Sequence, residues 1–289
     1  MTDLAQNPDI LVAGATGSTG GATATALAAA DVPFRALSRR PDADVPEGGT
    51  VVVADLGDHD ALARALEGVR AAYLVTPSSE DAEELQLGFV DAAAAAGVEH
   101  LVLLSQLAAR PDSPVRFLRY HAAVEERLAE SGMAATILRP NLFLQGLLAL
   151  AEPVRTSGVV AAPIGDARVS LVDIRDIGDV AAVALQSPTP LGTLTLTGPA
   201  AVTHTEVAEA LGEAIGAELR FTDIAPEDFA AQLRGKLPDW QVDGLLEDYA
   251  HYARGEASEV TDAVPATLGR PARDLAGFAH DYADAFRRG

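Results

Sequence analysis

The chain has 289 residues, with 21 basic against 42 acidic side chains and a formal net charge of −21, which argues against a nucleic-acid partner because phosphate neutralisation needs a basic face. Apolar residues make up 48% and aromatics 5%, enough for a sizeable alanine-rich core, so disorder is excluded as the main state. The absence of cysteine excludes disulfides, thiol nucleophiles and cysteine-based metal sites, and the opening MTDLAQNPD has neither a basic nor an apolar region, so a soluble, cytoplasmic protein with no membrane partner is expected.

Short apolar runs at 10–13, 34–37, 51–54, 72–75, 101–104 and 135–138 alternate with helical patterns at 22–30, 61–66, 82–96 and 115–129. Runs of four or five apolar residues without polar alternation read as strands buried on both faces, and their alternation with helices predicts a doubly wound parallel α/β sheet. Gly97 and Gly132 close two of the helices, and Asp31-Val-Pro33 marks the turn before the second strand.

After Pro140 the alternation stops. The longest apolar stretch, 142–151, is well short of the roughly 18 residues of a membrane span. Less regular segments follow at 169–172, 176–185, 193–196, 205–215 and 220–222. Beyond them lie Phe229, Trp240, Tyr249 and Tyr252, then an amphipathic helix near 274–286. This predicts a dinucleotide-binding domain over 1–140, with a return strand and helix near 169–185, and a smaller, variable α/β substrate lobe over 141–289. The aromatic residues fit either a pocket lid or ordinary packing. Charge does not separate the halves, which carry −10 up to Pro140 and −11 after it.

The first strand runs into Gly14-Ala-Thr16-Gly17-Ser18-Thr19-Gly20 and then a helix. Glycine there permits the tight turn, close approach of backbone to a pyrophosphate, and packing of helix on strand, so the helix amides face the phosphates. At the end of the second strand, a carboxylate would accept from the ribose hydroxyl of NAD, whereas arginine accommodates the extra phosphate of NADP. The sequence there reads Ser38-Arg39-Arg40 with no carboxylate, which predicts NADP(H). Asp55 and Leu56 follow the third strand, where they would hold the adenine edge.

These residues resemble the NmrA-like atypical short-chain dehydrogenases. Further elements of the resemblance are Val75-Thr76-Pro77, Ser105, His121-Ala-Ala-Val-Glu125, Ser131-Gly-Met, Thr136-Ile-Leu-Arg139-Pro140-Asn141-Leu-Phe143, Val172-Asp173-Ile-Arg-Asp176-Ile, Leu196-Thr-Gly-Pro199 and a late Gly-Arg-Pro. That family includes NADPH-dependent quinone and azo-dye reductases and redox-sensing regulators without activity. The resemblance implies a Rossmann domain that holds NADP(H) over the strand ends. Thr76 and Pro77 would lie on one side of the nicotinamide, with Pro140, Asn141 and Phe143 as the pocket floor.

Typical short-chain dehydrogenases use a tyrosine with a lysine four residues later. Here Tyr120 is followed at that spacing by Val124, His121 by Glu125, and the only lysine is Lys236. Three functions are therefore open: a reductase of a small conjugated or quinone-like acceptor that needs little enzyme-supplied acid, a sensor that binds NADP(H) without turnover, and a non-redox isomerase or cyclase. In the first, His121 binds the nicotinamide ribose or donates a proton, and Ser105 polarises the acceptor. A packing role for His121, and for Glu125 a role in tying its helix to neighbouring structure, are the alternatives. Asp173, Asp176 and Asp179 recur along one face of a helix start, where carboxylates favour the macrodipole, and no metal site is expected. Oligomeric state is open, with a homodimer as one option.

Overall fold

The computed structural model describes residues 8–287; most of the opening segment read above for targeting signals lies outside them. The elements in order are β1 (Ile10–Val12), α1 (Ser18–Ala29), β2 (Phe34–Ser38), β3 (Gly49–Val53), α2 (His59–Leu66), β4 (Ala71–Leu74), α3 (Ala82–Ala96), β5 (His100–Leu104), α4 (Arg116–Glu130) and β6 (Ala134–Pro140). A 3-10 helix (Leu144–Leu150) then leads into α5 (Ala151–Ser157), β7 (Val159–Ala162), α6 (Ile174–Gln186), β8 (Gly192–Leu196), α7 (His204–Ile215) and β9 (Arg220–Asp223). The chain ends with α8 (Pro226–Leu233), α9 (Asp239–Ala253), α10 (Ala263–Leu268), α11 (Leu275–Asp281) and α12 (Ala283–Phe286).

Seven strands form one sheet in the order β3-β2-β1-β4-β5-β6-β8, and the five pairs from β3 to β6 are parallel. The predicted fold class is thus the observed one. β1, β2, β4 and β5 are buried at every position, as their unalternating apolar runs require. β3 departs from that reading. It is the edge strand, and Val53 is 52% exposed.

The chain divides into two compact units. One takes residues up to Ser105 with Tyr120–Arg139 and Ile177–Leu194; the other takes Gln106–Arg119, Pro140–Asp176 and the chain from Thr195. The division therefore follows packing rather than a single cut at Pro140. In the first unit, Leu11, Leu62, Leu74, Phe89, Leu101 and Leu128 are among the buried core side chains, each worth about 1.5–3 kcal/mol of burial. Helix α3 ends on Gly97 at φ 80°, the left-handed position that glycine alone adopts without strain.

In the second unit, Leu144, Val154, Val160, Leu211 and Phe278 form a separate core, and β7 pairs in parallel with β9. Thr203 and Glu206 close a reciprocal capping box at the start of α7. Two expectations change here. Residues 169–172 form isolated bridges rather than a strand, because their backbone groups are used in several directions: Val169 pairs with Val202, while Ser170 donates to the Ala257 carbonyl. The terminal helix is two short ones that meet at Tyr282, with the Asp274 side chain capping the first.

Candidate functional site

The β1–α1 turn is closed by the Gly17 amide donating to the Gly14 carbonyl at 2.8 Å. Gly14 lies at φ +68°, and a Cβ there would stand 2.8 Å from Val75 Cγ1; a Cβ at Gly20 would stand 2.1 Å from the Gly14 oxygen. Only glycine fits at either place. Helix α1 begins with no side-chain cap and no acidic residue in its first turn, so its leading amides and the positive end of its dipole are available to an anion. Thr16, Gly17 and Ser18 are exposed, while Thr19 and Gly20 are buried beneath them.

Beyond β2, Ser38 is buried and its hydroxyl accepts from the Arg40 amide at 3.1 Å, which fixes the turn that carries the arginines. Arg39 and Arg40 are exposed. Neither guanidinium has a partner among the described residues. In a chain of charge −21, two adjacent unpaired guanidiniums are a local concentration of positive charge, and their fork of donors suits a phosphate. Asp55 is exposed and its carboxylate accepts from the Gly57 amide at 2.9 Å, while Leu56 packs against the core. The residues present thus fit a phosphorylated dinucleotide: a glycine cradle, an acid-free helix start, and a cationic pair.

At the end of β4, the Thr76 hydroxyl accepts from Gln86 Nε2 at 2.7 Å, and Pro77 is exposed. Ser78 Oγ lies 3.3 Å from the Tyr120 hydroxyl. Ser105 directly follows β5. It is 3% exposed, its amide continues the ladder to the Leu138 carbonyl, and its hydroxyl donates to Glu125 Oε1 at 2.5 Å. Arg139 grips the same carboxylate with both edges of its fork, Nε to Oε1 at 2.9 Å and the terminal nitrogen to Oε2. The hydrogen bond to Glu125 pushes the Arg139 pKa up, so Glu125 ties its helix to two side chains on neighbouring strand ends.

His121 is buried, and its Nδ1 has no hydrogen-bond partner among the described residues. Burial pushes its pKa down to about 3, which leaves the imidazole neutral near pH 7. The ring stacks at 4.2 Å on Tyr120.

The remaining expected residues belong to the second unit. Pro140 ends β6. Asn141 is buried and fully used, with its Nδ2 donating to Ser170 Oγ at 2.7 Å and to the Ala257 carbonyl at 2.8 Å, and its Oδ1 accepting from the Leu142 amide. Phe143 is half-buried and bridges to Val172. Phe229 and Tyr249 meet at a tilt with ring centroids 4.7 Å apart, Tyr249 and Tyr252 meet edge-on at 5.8 Å, and Trp240 packs on Phe117 at 5.4 Å. These contacts are ordinary packing within the unit. Asp173 is paired with Arg175, and Asp176 with Arg270 and Arg273. Among the described residues, no group of side chains has metal-ligand geometry, and no helix is long and apolar enough to cross a membrane.

Sequence reasoning missed Arg139 as the partner of Glu125 and overlooked Asp248. That carboxyl is buried on α9, and Gln106 Nε2 donates to both of its oxygens at 3.0 and 3.2 Å. Burial pushes it up to about 7 against the opposing hydrogen bonds from Gln106 and Tyr252.

Residues 6–269 match the NmrA-like family. The chain is 37% identical over 283 residues to the NAD(P)H azoreductase of Xenophilus azovorans, spanning 96% of this chain and 99% of that protein. It is equally similar, at 37% over 283 residues with the same coverage, to the (4-alkanoyl-5-oxo-2,5-dihydrofuran-3-yl)methyl phosphate reductase of Streptomyces griseus. The crystal structure of the NADPH-dependent quinone oxidoreductase of Escherichia coli complexed with NADPH superposes with a TM-score of 0.84 at 28% identity, over 94% of this chain and 99% of that one. By its strand order, its glycine turn and a family match over nearly its whole length, the chain belongs to the NmrA-like family.

Proposed function

We propose that the protein is an NADP(H)-dependent reductase of a small conjugated or quinone-like acceptor, working without a tyrosine–lysine pair. The unpaired guanidiniums of Arg39 and Arg40 beyond β2 carry the cofactor assignment, and relatives of equal length with reductase activities support the reaction class. The bound dinucleotide supplies the hydride.

The chain's own residues bind and orient. The acid-free start of α1 receives the pyrophosphate through backbone amides, and Gly14 and Gly20 let the backbone come close. Arg39 and Arg40 hold the extra phosphate, Ser38 fixes their turn, and Asp55 and Leu56 border the adenine. Thr76, Pro77 and Ser105 stand at the carboxyl ends of β4 and β5, where open α/β sheets bind their ligands. His121 remains neutral; it contributes a hydrogen bond rather than an imidazolium proton. Pro140, Asn141 and Phe143 are the residues this reading assigns to the floor of the acceptor pocket. An electron-poor acceptor suits such a site because its reduced form takes its proton from water.

Steady-state reduction of a quinone with NADPH and with NADH tests the proposal. Arg39→Asp is expected to raise KM for NADPH by ~10–100-fold, the worth of one or two charge-assisted hydrogen bonds, and to leave NADH nearly unchanged. Equal losses with both nucleotides would contradict the phosphate role.

A further inference from the structure

We infer that Glu125 and Arg139 are positioning residues that fix the direction of the Ser105 hydrogen bond, so that Ser105 meets its ligand only as an acceptor. The inference rests on the NADP(H) reading above and reverses the expectation that Ser105 polarises the acceptor.

A serine hydroxyl carries one proton and two lone pairs, and an ionised carboxylate only accepts. The Ser105 proton points to Glu125 Oε1 at 2.5 Å. Both carboxylate oxygens also receive donors from Arg139, whose guanidinium is protonated at any accessible pH. With Arg139 N–H groups donating to both of its oxygens, Glu125 offers acceptors to Ser105 and no donor. The Ser105 proton is therefore committed, and only lone pairs remain for a third partner.

All three residues sit on rigid elements: Ser105 at the end of β5, with its amide bonded to Leu138, Glu125 on α4, and Arg139 on β6. The ligand atom that meets Ser105 must then carry a hydrogen. At the nicotinamide end of the dinucleotide two groups have one to offer, the carboxamide N–H and the ribose hydroxyls. A quinone or azo acceptor has none, so Ser105 serves cofactor binding rather than activation of the acceptor.

The test is titration of NADPH, and of its acetylpyridine analogue in which a methyl ketone replaces the carboxamide, into the wild-type protein, Ser105→Ala, Ser105→Thr, Glu125→Gln and Ser105→Ala/Glu125→Gln. Nicotinamide fluorescence reports binding, and circular dichroism confirms folding. Ser105→Ala is expected to raise Kd for NADPH by ~10-fold, and Ser105→Thr to restore binding. A loss confined to NADPH assigns the carboxamide N–H as the partner, whereas a loss with both nucleotides assigns a sugar hydroxyl. Because Glu125 acts through Ser105, Glu125→Gln should weaken NADPH binding alone and add nothing in the Ser105→Ala background. Additive losses, or an unchanged Kd with a fallen kcat, would overturn the inference while leaving the NADP(H) reading intact. A wild-type protein that binds neither nucleotide would overturn both.

Discussion

Asp248 shows what burial does to a single side chain. An unfolded carboxyl ionises near pH ~4, but in the fold, desolvation holds Asp248 protonated up to about 7. Between those values the folded state carries the extra proton, so stability falls as pH rises through the window and levels off above it, by at most about 4 kcal/mol. Asp248→Asn removes that dependence. The difference in unfolding free energy between variant and wild type should shift in favour of the variant from pH ~4 to ~8, measured by urea denaturation at each pH; parallel curves would contradict the raised ionisation. The residues that sequence alone made legible are those read as facing a ligand. Gly14, Gly17 and Gly20 lie within one turn, and Arg39 and Arg40 stand where a nucleotide phosphate is expected. Residues whose partner is another part of the chain were not legible. Gln106 meets Asp248 across 142 positions of sequence, and Arg139 meets Glu125 from a different element; no local pattern encodes either pairing.

At the scale of elements, close approach of backbones decides what is tolerated. A Cβ at Gly178 on α6 would stand 2.5 Å from the Ala22 carbonyl carbon and 2.7 Å from its oxygen on α1. These are backbone atoms and cannot turn aside. Gly178→Ala gains about 0.8–1.0 kcal/mol of helix propensity but meets overpacking of about 1–3 kcal/mol. A net loss of up to about 2 kcal/mol is expected from these two effects, read as a lower urea midpoint. A higher midpoint would show that α1 and α6 are not in this contact. The sheet elements were legible because strands buried on both faces write unbroken apolar runs. β3 wrote the same run yet lies at the edge, since position in the sheet order is a tertiary property that composition does not record. After Pro140 the elements became less legible. β7 and β9 are four residues each, the 3-10 helix falls in an apolar stretch without a strong period, and α5 is only seven residues long, so local preference gave little to read.

The charge of the whole molecule argues against a nucleic-acid partner, and it also makes the arginine pair meaningful: an overwhelmingly acidic chain keeps two adjacent guanidiniums unpaired at one turn. The lysine count sets the chemistry apart in the same way. Lys236, the only lysine, is exposed in the second unit, and Lys236→Met is expected to retain turnover within about twofold of wild type, a change of less than ~0.5 kcal/mol; loss of activity would show that the reaction needs a lysine after all. Hydride transfer itself is most directly measured in a single turnover, mixing NADPH-loaded protein anaerobically with a quinone and following nicotinamide absorbance. The expected result is loss of the reduced-nicotinamide signal with one equivalent of quinone reduced, and much slower loss when NADH replaces NADPH at equal concentration. NADPH that binds tightly yet stays reduced against quinone, azo and enone acceptors alike would contradict a reductase and leave a protein that binds the nucleotide without using it.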